Sequence, residues 1–402
     1  MSVAAIARNR NFIGLLVANT ILAAAFPMQL ILGGLTGLML APSPALATLP
    51  ASVQTLAALV SAAPFSLLMG RLGRRVGFGV GSLVTLIGAV ASVQALFSES
   101  FILLCAGHFL MGAGWASFQF FRFAAGEVVD ANTRPVAISL MLTSGLVAAL
   151  VGPQMFIVAR DALAPIPFAG AYVAIGAIAL LGPIPLALVR IALPERTPTR
   201  DPRGRFAALA ALRRRPVKRA VGIAAVSQGI MVFLMIPTPL AMIGCGFGED
   251  TASDVIRWHI VAMFAPSFFT GFLIQRFGAQ TIAVTGLVTI VAAAVGASLG
   301  LSALHFYGAL IVLGLGWNFS FIGATTMLAA AVSDAETAAV QGANDTIIAL
   351  VSTVCAFAAG LVISSLGWAL LALISAVVVL LSLGALAVGR GEAEVPSLGE
   401  RS

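Results

Sequence analysis

Apolar residues in this chain come in long, nearly unbroken runs, each closed by a short cluster of charge, proline or glycine. A helix needs about 20 apolar residues, each rising ~1.5 Å, to cross a bilayer's hydrocarbon core. Runs of that kind lie near 11–38, 47–69, 76–97, 101–125, 135–158 and 168–191. A second set lies near 219–243, 252–274, 280–300, 303–331, 339–364 and 366–389. The pattern predicts an all-α membrane protein with about twelve transmembrane helices. The first run begins near Asn11, is far longer than a signal-peptide core and lacks a small-residue cleavage site, so it is expected to be the first span.

Composition agrees. Of 402 residues, 60% are hydrophobic and 9% charged, whereas a soluble domain carries roughly a quarter of its residues as charges. Most of the surface must therefore face lipid. The net charge of +7 does not point to nucleic acid, because the basic residues gather in particular loops. Arg8 and Arg10, then Arg71, Arg74 and Arg75, then the 190–219 stretch with Arg213, Arg214, Arg215, Lys218 and Arg219 all fall on one side. The other side holds Glu99, Arg160, Asp161, Glu249 and Asp250. Cytoplasmic loops carry the excess of Lys and Arg, so both termini are expected inside, N-in and C-in. The expected division is 1–192, a basic cytoplasmic linker 193–218, and 219–402. Cys105, Cys245 and Cys355 show no CxxC spacing, which excludes a disulfide framework or zinc knuckle.

The two sets of runs repeat one another. Arg71-Leu-Gly73 recurs as Arg276-Phe-Gly278, Gly112-Ala-Gly-Trp115 as Gly314-Leu-Gly-Trp317, and Asp130-Ala-Asn-Thr-Arg-Pro-Val136 as Asp334-Ala-Glu-Thr-Ala-Ala-Val340. The offsets are 205, 202 and 204 residues, about half the chain. Parallel duplication of six helices is a transporter arrangement with substrate bound near mid-membrane between the halves. On these residues the whole chain resembles the major facilitator superfamily. The family's loop signature G-x-x-x-D-R-x-G-R-R appears as Ser66-Leu-Leu-Met-Gly70-Arg71-Leu-Gly73-Arg74-Arg75. Ser66 and Gly70 replace the usual glycine and aspartate, so the basic half of the loop survives without its acidic partner.

Ionisable groups within hydrocarbon are costly and mark pathways or partners. His108, Arg122, Arg257, His259 and Asp345 are such groups, with Glu127 at a helix end. Arg71, Arg74, Arg122, Glu127, Arg257 and Asp345 form the candidate set for gating or proton coupling. His108 and His305 are expected near the outer boundary, within reach of water. In the seventh and eighth runs, Met231-Val-Phe-Leu-Met235 puts two thioethers on one helical face, and His259-Ile-Val-Ala-Met263 does the same with an imidazole and a thioether. Met231 and Met263 should lie at similar depth, with Met235 and His259 one turn, about 5.4 Å, further out. Thioether sulfur selects Cu(I), and imidazole also suits copper. Methionine is equally a flexible filler of apolar cores, so packing or an organic-substrate pocket stays open on spacing alone.

The consecutive pairs Met231/Met235 and His259/Met263 resemble the signature of CcoA-type copper importers, which supply copper for assembly of cbb3-type cytochrome c oxidase. That resemblance implies secondary-active import of copper, as Cu(I), across the bacterial inner membrane by alternating access. The four residues would then ligate the metal, with Cys245 as an outer relay and copper chaperones of oxidase assembly as partners. Copper would be cargo; no resident cofactor is expected. The wider background, Trp258-His259, Gly314-Leu-Gly-Trp-Asn318 and Gln341-Gly-Ala-Asn-Asp345, is shared with a sister group resembling riboflavin importers. A riboflavin-type importer would line its cavity with Phe26, Trp115, Phe118 and Trp317. A third alternative is a non-transporting scaffold for oxidase assembly. There is no Walker loop, HExxH or nucleophile elbow, so neither an enzyme nor ATP coupling is expected.

Overall fold

Proline and glycine decide where the apolar runs break. The computed structural model describes residues 8–130, 133–189 and 210–391; of the expected linker, 193–209 lies outside them. The first run divides into α1 (Arg10–Ala23) and α2 (Ala25–Leu40), then come α3 (Leu49–Leu72) and α4 (Arg74–Phe97). α5 (Phe101–Phe118) is followed by the short α6 (Phe121–Glu127), then α7 (Arg134–Ala159) and α8 (Ala169–Leu181). Beyond residue 209 stand α9 (Arg215–Met235) with the short α10 (Thr238–Gly244), and α11 (Glu249–Phe264) with α12 (Ser267–Phe277). α13 (Ala279–Ser298), α14 (Ala303–Ala331) and α15 (Asp334–Gly391) complete the chain.

Each break has a local cause. Pro27, Pro237 and Pro266 lack the N–H that a continuous helix donates to the carbonyl four residues back, and each lies within three residues of a helix break. Gly367 turns α15 with φ of 77°, a conformation that a Cβ makes costly. The repeated Arg-x-Gly loops share a second such turn: Gly73 and Gly278 end α3 and α12 with φ of 89° and 85°. The loop motif thus keeps its glycine for backbone reasons in both halves of the sequence.

Among the described residues, nine helices are long and apolar enough to cross a membrane, or ten if the bent pair α11–α12 is one span. One of the nine, Ala339–Leu386, has 48 residues. At 1.5 Å per residue it would extend about 72 Å, more than twice a ~30 Å hydrocarbon core, and it contains the Gly367 turn. Close helix pairs are built on small residues, as lipid-embedded packing favours. A Cβ on Gly88 of α4 would meet the Gly107 carbonyl oxygen of α5 at 2.6 Å, and one on Gly286 of α13 would meet the Ser320 nitrogen of α14 at 2.2 Å.

Three larger apolar cores and a small one around Val217, Val221 and Leu328 lie among the described residues. One joins Phe12, Phe78, Phe118 and Phe121 of α1 and α4–α6. Another joins Leu287, Phe306, Leu310 and Trp368 of α13–α15. The third draws from both sides, joining Met28, Ile31 and Leu32 of α2 to Met231, Met235, Ile256, Ile260, Met263 and Trp317 of α9, α11 and α14. The residues singled out from the sequence lie in and around this shared core.

Candidate functional site

Met231 and Met235 leave α9 one turn apart, and Met263 leaves α11 on the face that carries Ile256 and Ile260. All three are nearly inaccessible, at 4%, 5% and 7%, and lie in the shared apolar core among Val232, Ile236 and Ile260. His259 sits differently. Its Nδ1 lies 2.7 Å from the carbonyl oxygen of Leu310 on α14, which can only accept, so Nδ1 carries the proton. The Nε2 of this fully buried imidazole has no hydrogen-bond partner among the described residues. The structure therefore brings the three thioethers into one core and turns the imidazole toward α14. Cys245 is exposed, at the end of α10.

Aromatic side chains flank the same core. Phe26 stacks on Trp115 at 4.3 Å between ring centres, and Phe118 meets Trp115 edge-on at 6.4 Å. In the second repeat Trp317 stacks on Phe321 at 4.9 Å and takes Phe264 edge-on at 6.1 Å. The Trp317 indole N–H donates to Gln228 Oε1 at 2.7 Å. Each tryptophan of the repeated Gly-x-Gly-Trp motif thus carries a stacked phenylalanine, the offset geometry that aromatic quadrupoles favour.

The candidate gating charges resolve into pairs at the two ends of the body. Arg74 Nη2 holds Glu127 Oε1 at 2.6 Å, with the guanidinium over Phe120. The acid missing from the loop motif at Gly70 is supplied from α6. Arg122 reaches Asp345 of α15 at 3.3 Å, and Asn344 also donates to Asp345. Arg71 is exposed. Near this end Glu336 is held below the usual carboxylate range by the Ser333 N–H, the Ser333 hydroxyl and Arg214. At the other end Arg160, just beyond α7, contacts Asp161 at 3.2 Å, Glu249 at 3.1 Å and Asp250 at 2.7 Å. Arg257 pairs with Asp254 at 2.6 Å and donates to Gln154 of α7 at 3.1 Å.

His108 corrects the expectation of a water-accessible imidazole, because it is fully buried. Its Nδ1 meets Gln54 Oε1 at 3.1 Å and its Nε2 meets the Tyr172 hydroxyl at 2.8 Å. Tyr172 continues to Thr36 at 2.9 Å, and the Gln54 amide donates to Gln29 at 2.9 Å. Gln54 Oε1 can only accept, so Nδ1 carries a proton, and the line ends at Thr36, whose hydroxyl donates to the Leu32 carbonyl oxygen at 2.6 Å. Sequence reasoning gave no role to Gln29, Gln54, Tyr172, Gln228 and Asn318 because, among polar groups within the runs, it weighed charge and metal-ligating chemistry and not neutral amides or hydroxyls. An amide inside an apolar run is the signal that would have found four of them.

A helical body with charges confined to its ends and an apolar, aromatic-flanked core between two sets of spans has the build of a membrane solute carrier. The family model described as the Major Facilitator Superfamily matches residues 11–350, and the chain belongs to that family. It is a multi-pass transporter of the cytoplasmic membrane and not an enzyme. The riboflavin transporter RfnT of Brucella anthropi is 38% identical over 369 residues, 90% of this chain and 92% of that protein. The uncharacterized MFS-type transporter YdeG of Bacillus subtilis is 29% identical over 377 residues, 89% and 87% of the two chains. Among solved structures, the nucleoside transporter NupG superposes with a TM-score of 0.73 at 13% identity, covering 94% of this chain and 98% of that one. The human organic anion transporter MFSD10 gives 0.69 at 13% identity, covering 93% and 98%. Likenesses at that identity establish the fold alone.

Proposed function

We propose that the chain imports a small organic molecule of the riboflavin class by alternating access of two six-helix halves, with both termini inside. The observation that carries this reading is the similarity to a riboflavin transporter across nine-tenths of both chains. The stacked Phe26–Trp115 and Trp317–Phe321 pairs support it, since a flat heteroaromatic ring system binds to such faces while Gln228 offers an amide to its polar edge. The methionines, buried among isoleucine and valine, serve the packing between the two sides.

The test is uptake of labelled riboflavin by purified protein in vesicles, which also separates a carrier from a scaffold. Wild-type protein should accumulate the flavin, and Trp317→Ala should lower uptake at least about tenfold, a typical cost of removing an aromatic anchor. Absence of riboflavin uptake by the wild-type protein defeats the reading.

One observation favours copper as a second reading: the Nε2 of His259, unpartnered among the described residues and one helical turn from Met263. Here Met231, Met235, His259 and Met263 would hold the ion, with Cys245 as relay. The same vesicles loaded with a Cu(I) chelator decide it. Copper accumulation abolished by His259→Ala, with no riboflavin uptake, selects this second reading; equal accumulation by wild type and the quadruple alanine variant eliminates it.

A further inference from the structure

At the 205-residue offset of the Arg-x-Gly loops, Pro266 corresponds to Ser61 of α3, while at the 202-residue offset of the Gly-x-Gly-Trp motif Asn318 of α14 corresponds to Ala116. α3 runs unbroken through Pro64. At Pro266 the span divides into α11 and α12, bent by 40°. The residue after each tryptophan differs as well: Ala116 in the first repeat, Asn318 in the second.

Asn318 is fully buried on α14, and its amide is spent entirely on the break. Nδ2 donates to the carbonyl oxygen of Met263, above the break, and to the Ser267 hydroxyl, just below it, both at 2.7 Å. Oδ1 accepts from the Thr270 hydroxyl at 2.7 Å. Met263 O is the acceptor that Ser267 N–H would occupy in a continuous helix, so the side chain stands in for the interrupted ladder. An alanine at this place has no group to offer.

The two pieces joined there are held unequally. α11 packs against α14 and, across the body, against α2 and α7. α12 packs against α13 and α14, and Thr270 is its sole buried residue. Side-chain links from α14 to α12 are the Asn318 bonds to Ser267 and Thr270 and the edge-on contact of Phe319 with Phe269 at 6.4 Å. The aromatic group Phe264, Trp317 and Phe321 lies directly beside the break.

We propose that Asn318 is the pin of a hinge: α12 swings about Ala265–Pro266 while α11 stays fixed, widening and narrowing the route at the Arg276 end. Straightening a 40° bend in an 11-residue helix, about 16 Å long, carries its far end about 10 Å. Asn318 is a positioning residue, acting through the backbone of Met263 and through Thr270. That solute at Trp317 drives the swing rests on the riboflavin-class reading; the hinge itself does not.

The experiment measures spin-label distances in lipid nanodiscs on a background with Cys105, Cys245 and Cys355 changed to serine. One label pair, Leu72→Cys with Gln275→Cys, reports α12; a second, Ile102→Cys with Trp258→Cys, reports α11. The intact hinge should give two populations for the α12 pair, separated by about 5–10 Å, and a single one for α11. Asn318→Ala should collapse the α12 pair onto one population and leave α11 unmoved. Thr270→Val, which removes the hydroxyl shared between Asn318 Oδ1 and the Pro266 carbonyl but leaves the Asn318 amide on Met263 and Ser267, should act in the same direction. Riboflavin transport in both variants should slow about tenfold with affinity within about twofold. Two populations persisting in both variants, or an equal change at α11, overturns the hinge. A wild-type protein that carries no riboflavin leaves the distance result fully decisive and counts only against the flavin reading.

Discussion

Arg74 is the arginine of a loop signature that has lost its aspartate, yet it is not left alone. Its guanidinium lies 2.6 Å from Glu127, with the two side chains 17% and 37% accessible. Partly exposed pairs contribute little, so Glu127→Gln should cost about 0.5–1 kcal/mol in thermal stability, measured by size-exclusion chromatography after heating. Trp317→Phe separates two contributions of one side chain. It retains the ring stacked on Phe321 but removes the N–H that Gln228 accepts. Riboflavin uptake should fall less than for Trp317→Ala, by about threefold to tenfold, if a single hydrogen bond of ~1 kcal/mol is lost. Such residue-level partners were only half legible in the sequence. The Met and His spacing could be read because helical periodicity is local. Neither the Glu127 partner of Arg74 nor the Leu310 carbonyl facing His259 could be read, because each comes from another helix, more than 50 residues away.

Most elements could be read, because a lipid-facing helix is specified by the length of its own apolar run. The expected spans 76–97 and 303–331 match α4 and α14 to within two residues. The runs at 219–243 and 252–274 each proved to be two helices, for a reason also printed in the chain: Pro237 and Pro266. The run boundaries near 364–366 anticipate the Gly367 turn in α15. What spacing could not reveal is that Asn318 of a neighbouring helix bonds to the Met263 carbonyl freed at the Pro266 break. Packing of the paired helices leads to a sharp contrast between two glycines. Gly286→Val should abolish a folded peak on size-exclusion chromatography, because even a Cβ there lies 2.2 Å from the Ser320 nitrogen. Gly308→Ala on α14, with no atom within 4 Å of its Cβ, should migrate as wild type and gain up to ~1 kcal/mol of helix propensity.

For the whole molecule, the two ends are fastened unequally. At the Arg160 end, α7 and α11 are joined by Arg160 with Glu249 and Asp250 and by Arg257 with Gln154. Nearby, the Ser52 hydroxyl on α3 donates to the Ala356 carbonyl of α15 at 2.9 Å. At the opposite end the described link across the body is Arg122 with Asp345, whose side chains are 39% and 51% accessible. Among the described residues, more links thus cross the body at the Arg160 end, the end that the loop charges are expected to place outside. Arg160→Gln should shift the population toward outside opening. A thiol at Gln154→Cys, on a background lacking the native cysteines, should then react with an impermeant maleimide several-fold faster, about fivefold for a shift of ~1 kcal/mol. An unchanged rate would mean that Arg160 does not hold that end closed.

The asymmetry between Ala116 and Asn318 carries the matter further. If α12 swings as proposed while α3 stays whole, the motion suggested by the repeats is not shared evenly. An antibody fragment or cyclic peptide wedged against α12 alone should arrest the carrier, while the same wedge on the equivalent stretch of α3 should leave it turning over. Selecting binders on one repeat and counter-selecting on its twin is thus a route to a one-sided inhibitor of a nearly two-fold symmetric protein.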